Sequence, residues 1–295
     1  MKHFQITVND LQLHTAAAGP TTGSLVILLH GFPEFWYGWR KQIPYLADAG
    51  FRVLAPDQRG YNRSEKPRGI EAYGIDQLAQ DVLGLMDAAG REQALIVGHD
   101  WGAAVAWHLA ANYPQRIARQ VILNVPHPTV VARQLRRNPR QLLKSWYMLF
   151  FQLPRLPEFL LGCCSWQALT SALVSTSRPG TFSSQDLSCY REAWSKPGAF
   201  TAMLNWYRAA RRGLTARSSS GLISIPTLII WGARDQFLER KLAQLSLERC
   251  QKGKLVLLEQ ATHWVQHEEA DRVNQLIQNH FQSHLSSAAG RRKST

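Results

Sequence analysis

Residues 94–109, Ala-Leu-Ile-Val-Gly-His-Asp-Trp-Gly-Ala-Ala-Val-Ala-Trp-His-Leu, decide the fold. Ala94 to Val97 is an unbroken apolar run, the pattern of a strand buried on both faces, and Ala103 to Leu109 reads as a helix. Between them Gly98 and Gly102 flank Asp100. Glycines at this spacing permit a sharp strand-to-helix turn, which lifts the central side chain off the sheet and brings the next backbone N–H beside it. The residue so presented is a carboxylate. An aspartate that only caps the following helix would have the same neighbours, so other parts of the chain must separate the two readings.

Outward from this turn, the same strand pattern recurs in Leu25–Leu29, Arg52–Ala55, Val121–Leu123, Thr227–Trp231 and Leu255–Leu258. Helical periods lie between several of them, as in Ile75, Leu78, Ala79, Val82 and Leu85, and later in Val273, Leu276 and Ile277. Alternating strands and helices predict an α/β fold with a mostly parallel sheet flanked by helices. Phe4–Val8 and Leu11–His14 alternate around Asn9-Asp10, which predicts a hairpin at the start. The alternation lapses from Pro126 to Arg217, a stretch rich in Trp, Arg, Leu and Pro. It reads as a helical cap inserted over the carboxyl edge of the sheet, where open α/β sheets bind ligands. The expected organisation is a core in two parts, 1–125 and 218–285, a cap at 126–217 and a basic tail at 286–295, frayed from Ser283 onward.

The 295 residues, 45% hydrophobic, suffice for a full core. No apolar run reaches the roughly 18 residues that cross a bilayer, and Met1–Asp10 lacks the apolar core of a signal peptide. Together with four cysteines at no metal-binding spacing (Cys163, Cys164, Cys189 and Cys250), this predicts a cytoplasmic protein with free thiols and no transmembrane segment. The net charge of +13 gathers at Arg133, Arg136, Arg137, Arg140 and Lys144, at Arg208, Arg211, Arg212 and Arg217, and at Arg291, Arg292 and Lys293. Solvated faces account for such clusters more simply than acidic partners or anionic lipid do. No nucleic-acid module accompanies them, so none is expected as a partner.

Two further residues give Asp100 its meaning. Asp235 follows the strand ending at Trp231, and His263 follows the strand ending at Leu258. Nucleophile, acid and histidine in this chain order, each at a strand's carboxyl end, form the triad order of α/β-hydrolases. A carboxylate attacking saturated carbon makes an ester of its own side chain. Water must then break that ester at the Asp100 carbonyl, and a His–Asp pair suits its activation. The oxyanion donors expected are the N–H of Trp101 and that of Phe32, in the loop His30-Gly31-Phe32-Pro33 after the first core strand. A leaving group on saturated carbon means halide or the strained oxygen of an epoxide. The latter departs as an alkoxide and requires a proton donor, for which the cap offers Tyr147, Tyr190 and Tyr207.

Over nearly its whole length the chain resembles the epoxide hydrolases of the α/β-hydrolase superfamily. His30-Gly31-Phe32-Pro33-Glu34 is similar to that family's oxyanion loop, and Gly98-His99-Asp100-Trp101-Gly102 to its nucleophile motif. In the family, one cap tyrosine precedes a Phe-Gln-x-Pro segment and another lies in Asn-Trp-Tyr-Arg. Here Tyr147 precedes Phe151-Gln152-Leu153-Pro154, and Tyr207 lies in Asn205-Trp206-Tyr207-Arg208. The resemblance implies that these two phenols hold the epoxide oxygen, with a small-molecule epoxide and water as partners, no cofactor and no metal. His30, Pro33, Trp146 and Trp206 are expected to line an aromatic pocket. The chain departs from the family at Asn62 and Thr262, where glycine is usual; asparagine tolerates positive φ better than most residues.

A haloalkane or haloacid dehalogenase would share the triad. It normally needs a second halide donor where Phe32 stands, and fluoroacetate dehalogenases place Arg where this chain has Trp101. A non-catalytic binding protein on the same fold would usually lack a triad member, and a serine esterase would need a serine at the turn. The sequence leaves the oligomeric state and the particular epoxide open.

Overall fold

A computed structural model of the chain describes residues 1–212 and 221–291, with side chains as far as Gln282. Among the described residues eight strands form one sheet in the order β1-β2-β4-β3-β5-β6-β7-β8. They are β1 Lys2–Val8, β2 Leu11–Ala18, β3 Leu25–Leu29, β4 Arg52–Pro56, β5 Ala94–His99, β6 Ile117–Leu123, β7 Thr227–Gly232 and β8 Gly253–Leu258. The β1–β2 hairpin and the β2–β4 pair are antiparallel, and every other pairing is parallel. Ile27 in β3 sets the central register, opposite Leu54 on one side and Ile96 on the other.

The helices of the core are α1 Gln42–Asp48, α2 Ile75–Ala88 and α3 Trp101–Asn112. Those between β6 and β7 are α4 Pro128–Arg137, α5 Pro139–Lys144, α6 Trp146–Phe150, α7 Leu156–Thr176, α8 Ser184–Trp194 and α9 Ala199–Arg211, followed by α10 Lys241–Leu247, α11 Val265–Glu268 and α12 Ala270–Arg291. Because strand side chains alternate, Leu25, Ile27 and Leu29 pack in one apolar layer with α2 and α3, whereas Val26 and Leu28 pack in the other with α1 and α12. Each such side chain, fully buried, contributes about 1.5–3 kcal/mol.

Helices α4–α9 fill most of the stretch read as a cap; its expected end, Arg217, lies outside the described residues, as do Arg292 and Lys293. Directional bonds tie these helices to the core. Trp194 Nε1 donates to the Pro33 carbonyl at 2.6 Å, Trp206 Nε1 to that of Arg59 at 3.1 Å, and Asp186, in the capping box that starts α8, accepts from Tyr37 and Arg40.

α7 has the length and overall composition of a membrane-crossing helix, although Ser, Thr and Gln interleave with its Leu and Ala so that no unbroken apolar run reaches that length; Thr170 and Thr176 place their hydroxyls on the helix's own carbonyls. Three expectations need correcting. β8 is only half-buried, because it lies at the end of the sheet with a neighbour on one side, rather than buried on both faces. Arg208 is buried rather than solvated, since its guanidinium meets Glu158 at 2.8 Å and donates to the carbonyls of Phe151 and Leu153. The fraying expected from Ser283 onward does not set in there: the backbone of α12 stays helical to Arg291.

Candidate active site

Four neighbouring strands deliver the site, since β5, β6, β7 and β8 lead at their carboxyl ends to Asp100, Asn124, Asp235 and His263. The turn at Asp100 is the sharp one that its glycines predict. Asp100 stands at φ +48° and ψ −122°, a conformation unfavourable for any L-residue and of the kind that clusters at functional sites. Gly31 and Gly102 make it possible. A Cβ on Gly31 would collide with the Asp100 side chain, and one on Gly102 with the Leu29 carbonyl.

The Asp100 carboxylate has two distinct oxygens. Oδ1 accepts the Phe32 N–H at 2.7 Å, while Oδ2 faces His263 Nε2 at 3.7 Å, too far for a direct hydrogen bond but close enough for strong attraction. Burial would raise the Asp100 pKa, yet the His263 ring and the Phe32 N–H outweigh it and hold the group below the ordinary carboxylate value. Trp101 opens α3, and the first N–H groups of a helix have no partner inside it.

On the other side of the ring, His263 Nδ1 donates to Asp235 Oδ2 at 2.7 Å. Burial disfavours the imidazolium, but the charge of Asp235 and the proximity of Asp100 override it and push the His263 pKa up to about 10. The resting ring is therefore a cation between two carboxylates. Asp235 is itself held by the N–H groups of Phe237 and Leu238, at 2.7 and 3.0 Å, and by Asn124 Nδ2 at 2.7 Å. Burial raises its pKa, and His263, Asn124 and Leu238 lower it to a net value below the usual one.

Tyr147 and Tyr207 come down from α6 and α9 onto these residues. The Tyr207 ring packs edge-on against Trp101 at 5.0 Å and Phe32 at 5.4 Å, the neighbours of Asp100 in the site. Tyr147 packs on Tyr207 at 6.1 Å and on Phe237 at 5.8 Å, and Phe237 packs on His263 at 5.2 Å. Burial, followed by the charge of Asp100, raises both phenol pKa values, with Asp235 adding to Tyr147, and Tyr147 and Tyr61 adding to Tyr207. Both phenols are thus protonated at neutral pH.

Other residues expected at the pocket sit differently. Trp146 is 64% exposed, its ring against Phe150, because a helix turns about 100° per residue and Tyr147 takes the inward direction. His30 is fully buried, with Nε2 accepting the Gln58 N–H at 3.0 Å and Nδ1 bonded to the Gly31 carbonyl at 3.1 Å, so it braces the loop rather than lining the pocket. Pro33 is buried under Trp194, while Trp206 backs Trp101 at 5.9 Å. Asn62 takes φ +41°, and Thr262 fixes itself to Glu268 through its N–H and hydroxyl, both at 2.7 Å.

Sequence reasoning missed two elements. Asn124 directly follows a buried strand at the sheet edge that carries Asp100 and Asp235, which was the available signal. The other is a buried cluster behind the triad. Glu34 accepts from His267 and Tyr190 at 2.7 Å and from Gln266 at 2.9 Å, lies 3.2 Å from His99, and His99 Nε2 donates to the His263 carbonyl at 2.9 Å. Burial would raise the Glu34 pKa, but His267 and His99 hold it well below the carboxylate range. Only folding brings these distant residues together.

Residues 24–270 match the family described as the alpha/beta hydrolase fold. The chain is 49% identical over 272 residues to AB hydrolase superfamily protein YfhM of Bacillus subtilis, covering 92% of this chain and 95% of that one. It is 36% identical over 283 residues to epoxide hydrolase 4 of Mus musculus, covering 93% and 78%. The crystal structure of Bacillus megaterium epoxide hydrolase in complex with an inhibitor superposes with a TM-score of 0.86 at 31% identity, covering 95% of this chain and all of that one.

Proposed function

The chain belongs to the α/β-hydrolase fold family as an epoxide hydrolase, and we propose that it opens its substrate to a vicinal diol through a covalent ester on Asp100. The observation that carries the reading is the setting of that carboxylate: an ionised side chain with one oxygen on the Phe32 N–H and the other facing the His263 ring without a direct hydrogen bond, enclosed by two protonated phenols and a charged histidine.

In the first step Asp100 Oδ2 attacks an epoxide carbon, the C–O bond breaks, and its electron pair goes to the ring oxygen, which both Tyr147 and Tyr207 hydrogen-bond and which takes its proton from one of them. Their raised pKa values bring the phenols closer to that of the alkoxide they protonate. Esterification removes the charge of Asp100 from beside His263, so the imidazole loses one of the two anions that hold its proton. His263 then restores the proton to the tyrosinate and becomes a base. In the second step it takes a proton from water, the oxygen of which adds to Cγ of Asp100. The resulting oxyanion at Oδ1 is met by the N–H groups of Phe32 and Trp101, each such donor being worth about 2.7–4 kcal/mol of barrier. Collapse breaks the bond from Cγ to Oδ2, the proton left on the added water oxygen passes to the departing alkoxide to complete the diol, and Asp100 and His263 return to their charged pair. Helices α4–α9 act as the cap that supplies the phenols and keeps bulk water from the ester.

Two variants test this. With His263→Gln, a stoichiometric ester on the Asp100 peptide should accumulate on mixing with an aryl epoxide and be visible by mass spectrometry; with Asp100→Asn, neither ester nor diol should form. Diol production by the Asn variant at the wild-type rate would remove Asp100 from the chemistry.

A further inference from the structure

We propose that the outer surface of α5, α6 and the first turns of α7 is a docking face for anionic lipid bilayers. Among the described residues, eight of the twelve exposed large hydrophobic side chains fall between Leu142 and Leu160. Leu143, Trp146, Leu149 and Phe159 are the most open, at 72, 64, 59 and 71% exposure. Soluble monomers rarely expose so concentrated an apolar patch, and when they do it meets a partner or a membrane.

The charges around the patch identify the occupant. Arg133, Arg136, Arg137, Arg140 and Arg155 are exposed, and none forms a salt bridge among the described residues. Glu158 is the only acidic residue between Pro126 and Gln185, and it is taken by Arg208 at 2.8 Å; nearby Glu239 is taken by Lys241 at 3.0 Å. A second copy of this chain would present the same arginines and be repelled. A surface of lipid phosphates satisfies the arginines and the apolar side chains together, which is the arrangement of interfacial helices rimmed by basic residues and carrying Trp, Phe and Leu.

The face rests on the bilayer and does not traverse it. Although α7 has the length and apolarity to span, its helical dihedrals break at Cys163–Trp166, three residues of which have positive φ. Neither half approaches the ~20 residues of a spanning helix. Beyond the break, Leu169, Thr170 and Leu173 are buried.

Flotation of the full-length enzyme with vesicles tests the proposal. Wild type should float with equimolar phosphatidylcholine and phosphatidylglycerol, and not with phosphatidylcholine alone. Arg136→Glu with Arg137→Glu should lower partitioning at least tenfold, at several-fold for each charge removed. Leu143→Ser with Phe159→Ser should remove the fraction that resists high salt. Unchanged turnover of a small water-soluble epoxide would show that both variants are folded. Equal binding to neutral vesicles, or wild-type binding by the arginine variant, would overturn the proposal. So would lipid-free dimers that dissolve when Leu143 and Phe159 are replaced, since they would make the patch a self-association surface.

Discussion

Asn124→Ala should uncouple the two halves of the proposed cycle. Asn124 touches neither Asp100 nor the phenols in the bonds described. It donates to Asp235 Oδ2 at 2.7 Å and accepts the Gly232 N–H at 2.9 Å, joining the ends of β6 and β7. The bond to Asp235 is charge-assisted, a type worth about 1.5–3 kcal/mol. Without it, Asp235 is a weaker and less well aimed partner for His263, and that pair serves ester hydrolysis rather than attack. If the whole loss reaches the hydrolytic barrier, the second step slows by roughly 10- to 150-fold, since about 1.4 kcal/mol is tenfold. Rapid-quench single turnovers with an aryl epoxide, following ester and diol separately, should show ester forming at close to the wild-type rate and decaying slowly. Thermal melting would confirm that the protein examined is folded. Equal slowing of both steps, or slowing of ester formation alone, would refute the assignment of Asn124 and Asp235 to the hydrolytic half.

The remaining expectations fall on neighbouring groups. Tyr147→Phe and Tyr207→Phe should each slow ester formation by about 10²–10⁴-fold, the usual worth of a positioned acid, leaving ester decay nearly unchanged; stopped-flow quenching of the pocket tryptophans can follow both. Glu34→Gln removes the buried anion that accepts from His267, Tyr190 and Gln266 and should destabilise the fold by about 1.5–3 kcal/mol, the worth of a hydrogen bond to a charged group, measured by urea denaturation. For pH, the His263 value is raised in the folded state, to about 10 from an unfolded value near 6.5. Its stabilisation is therefore complete below pH 6.5 and fades as pH rises toward 10, so the melting temperature of wild type should fall across that window while that of His263→Gln stays flatter.

How much of this was legible beforehand follows from the range of each interaction. The strands and the turn at Asp100 could be read because a buried strand needs an apolar run and a sharp turn needs its glycines, both within a few residues. Asp235 could be placed because it lies a few residues past such a strand, and His263 because the half-buried edge strand before it still carries an apolar run. Trp146 was misplaced because sequence adjacency to Tyr147 does not mean a shared helix face. Asn124 and the Glu34 cluster escaped because their meaning depends on which strands become neighbours, as in the pairing of Glu34 with a histidine 233 positions away. The exposed half of α7 escaped because periodicity shows that a face is apolar without showing what covers it.

In the proposed cycle, the hydrogen bond from the Phe32 N–H to Oδ1 of Asp100 also sets the fate of atoms. If Oδ1 stays anchored there through the cycle, only the other oxygen leaves with each diol, and the water of that same cycle refills the vacancy. Of the two oxygens in any diol, one is the epoxide's own and the other would then be that of the previous round's water, an isotopic memory one catalytic cycle deep. A pulse of heavy-oxygen water should accordingly appear in the product one turnover late, while the anchored oxygen remains that of the original polypeptide.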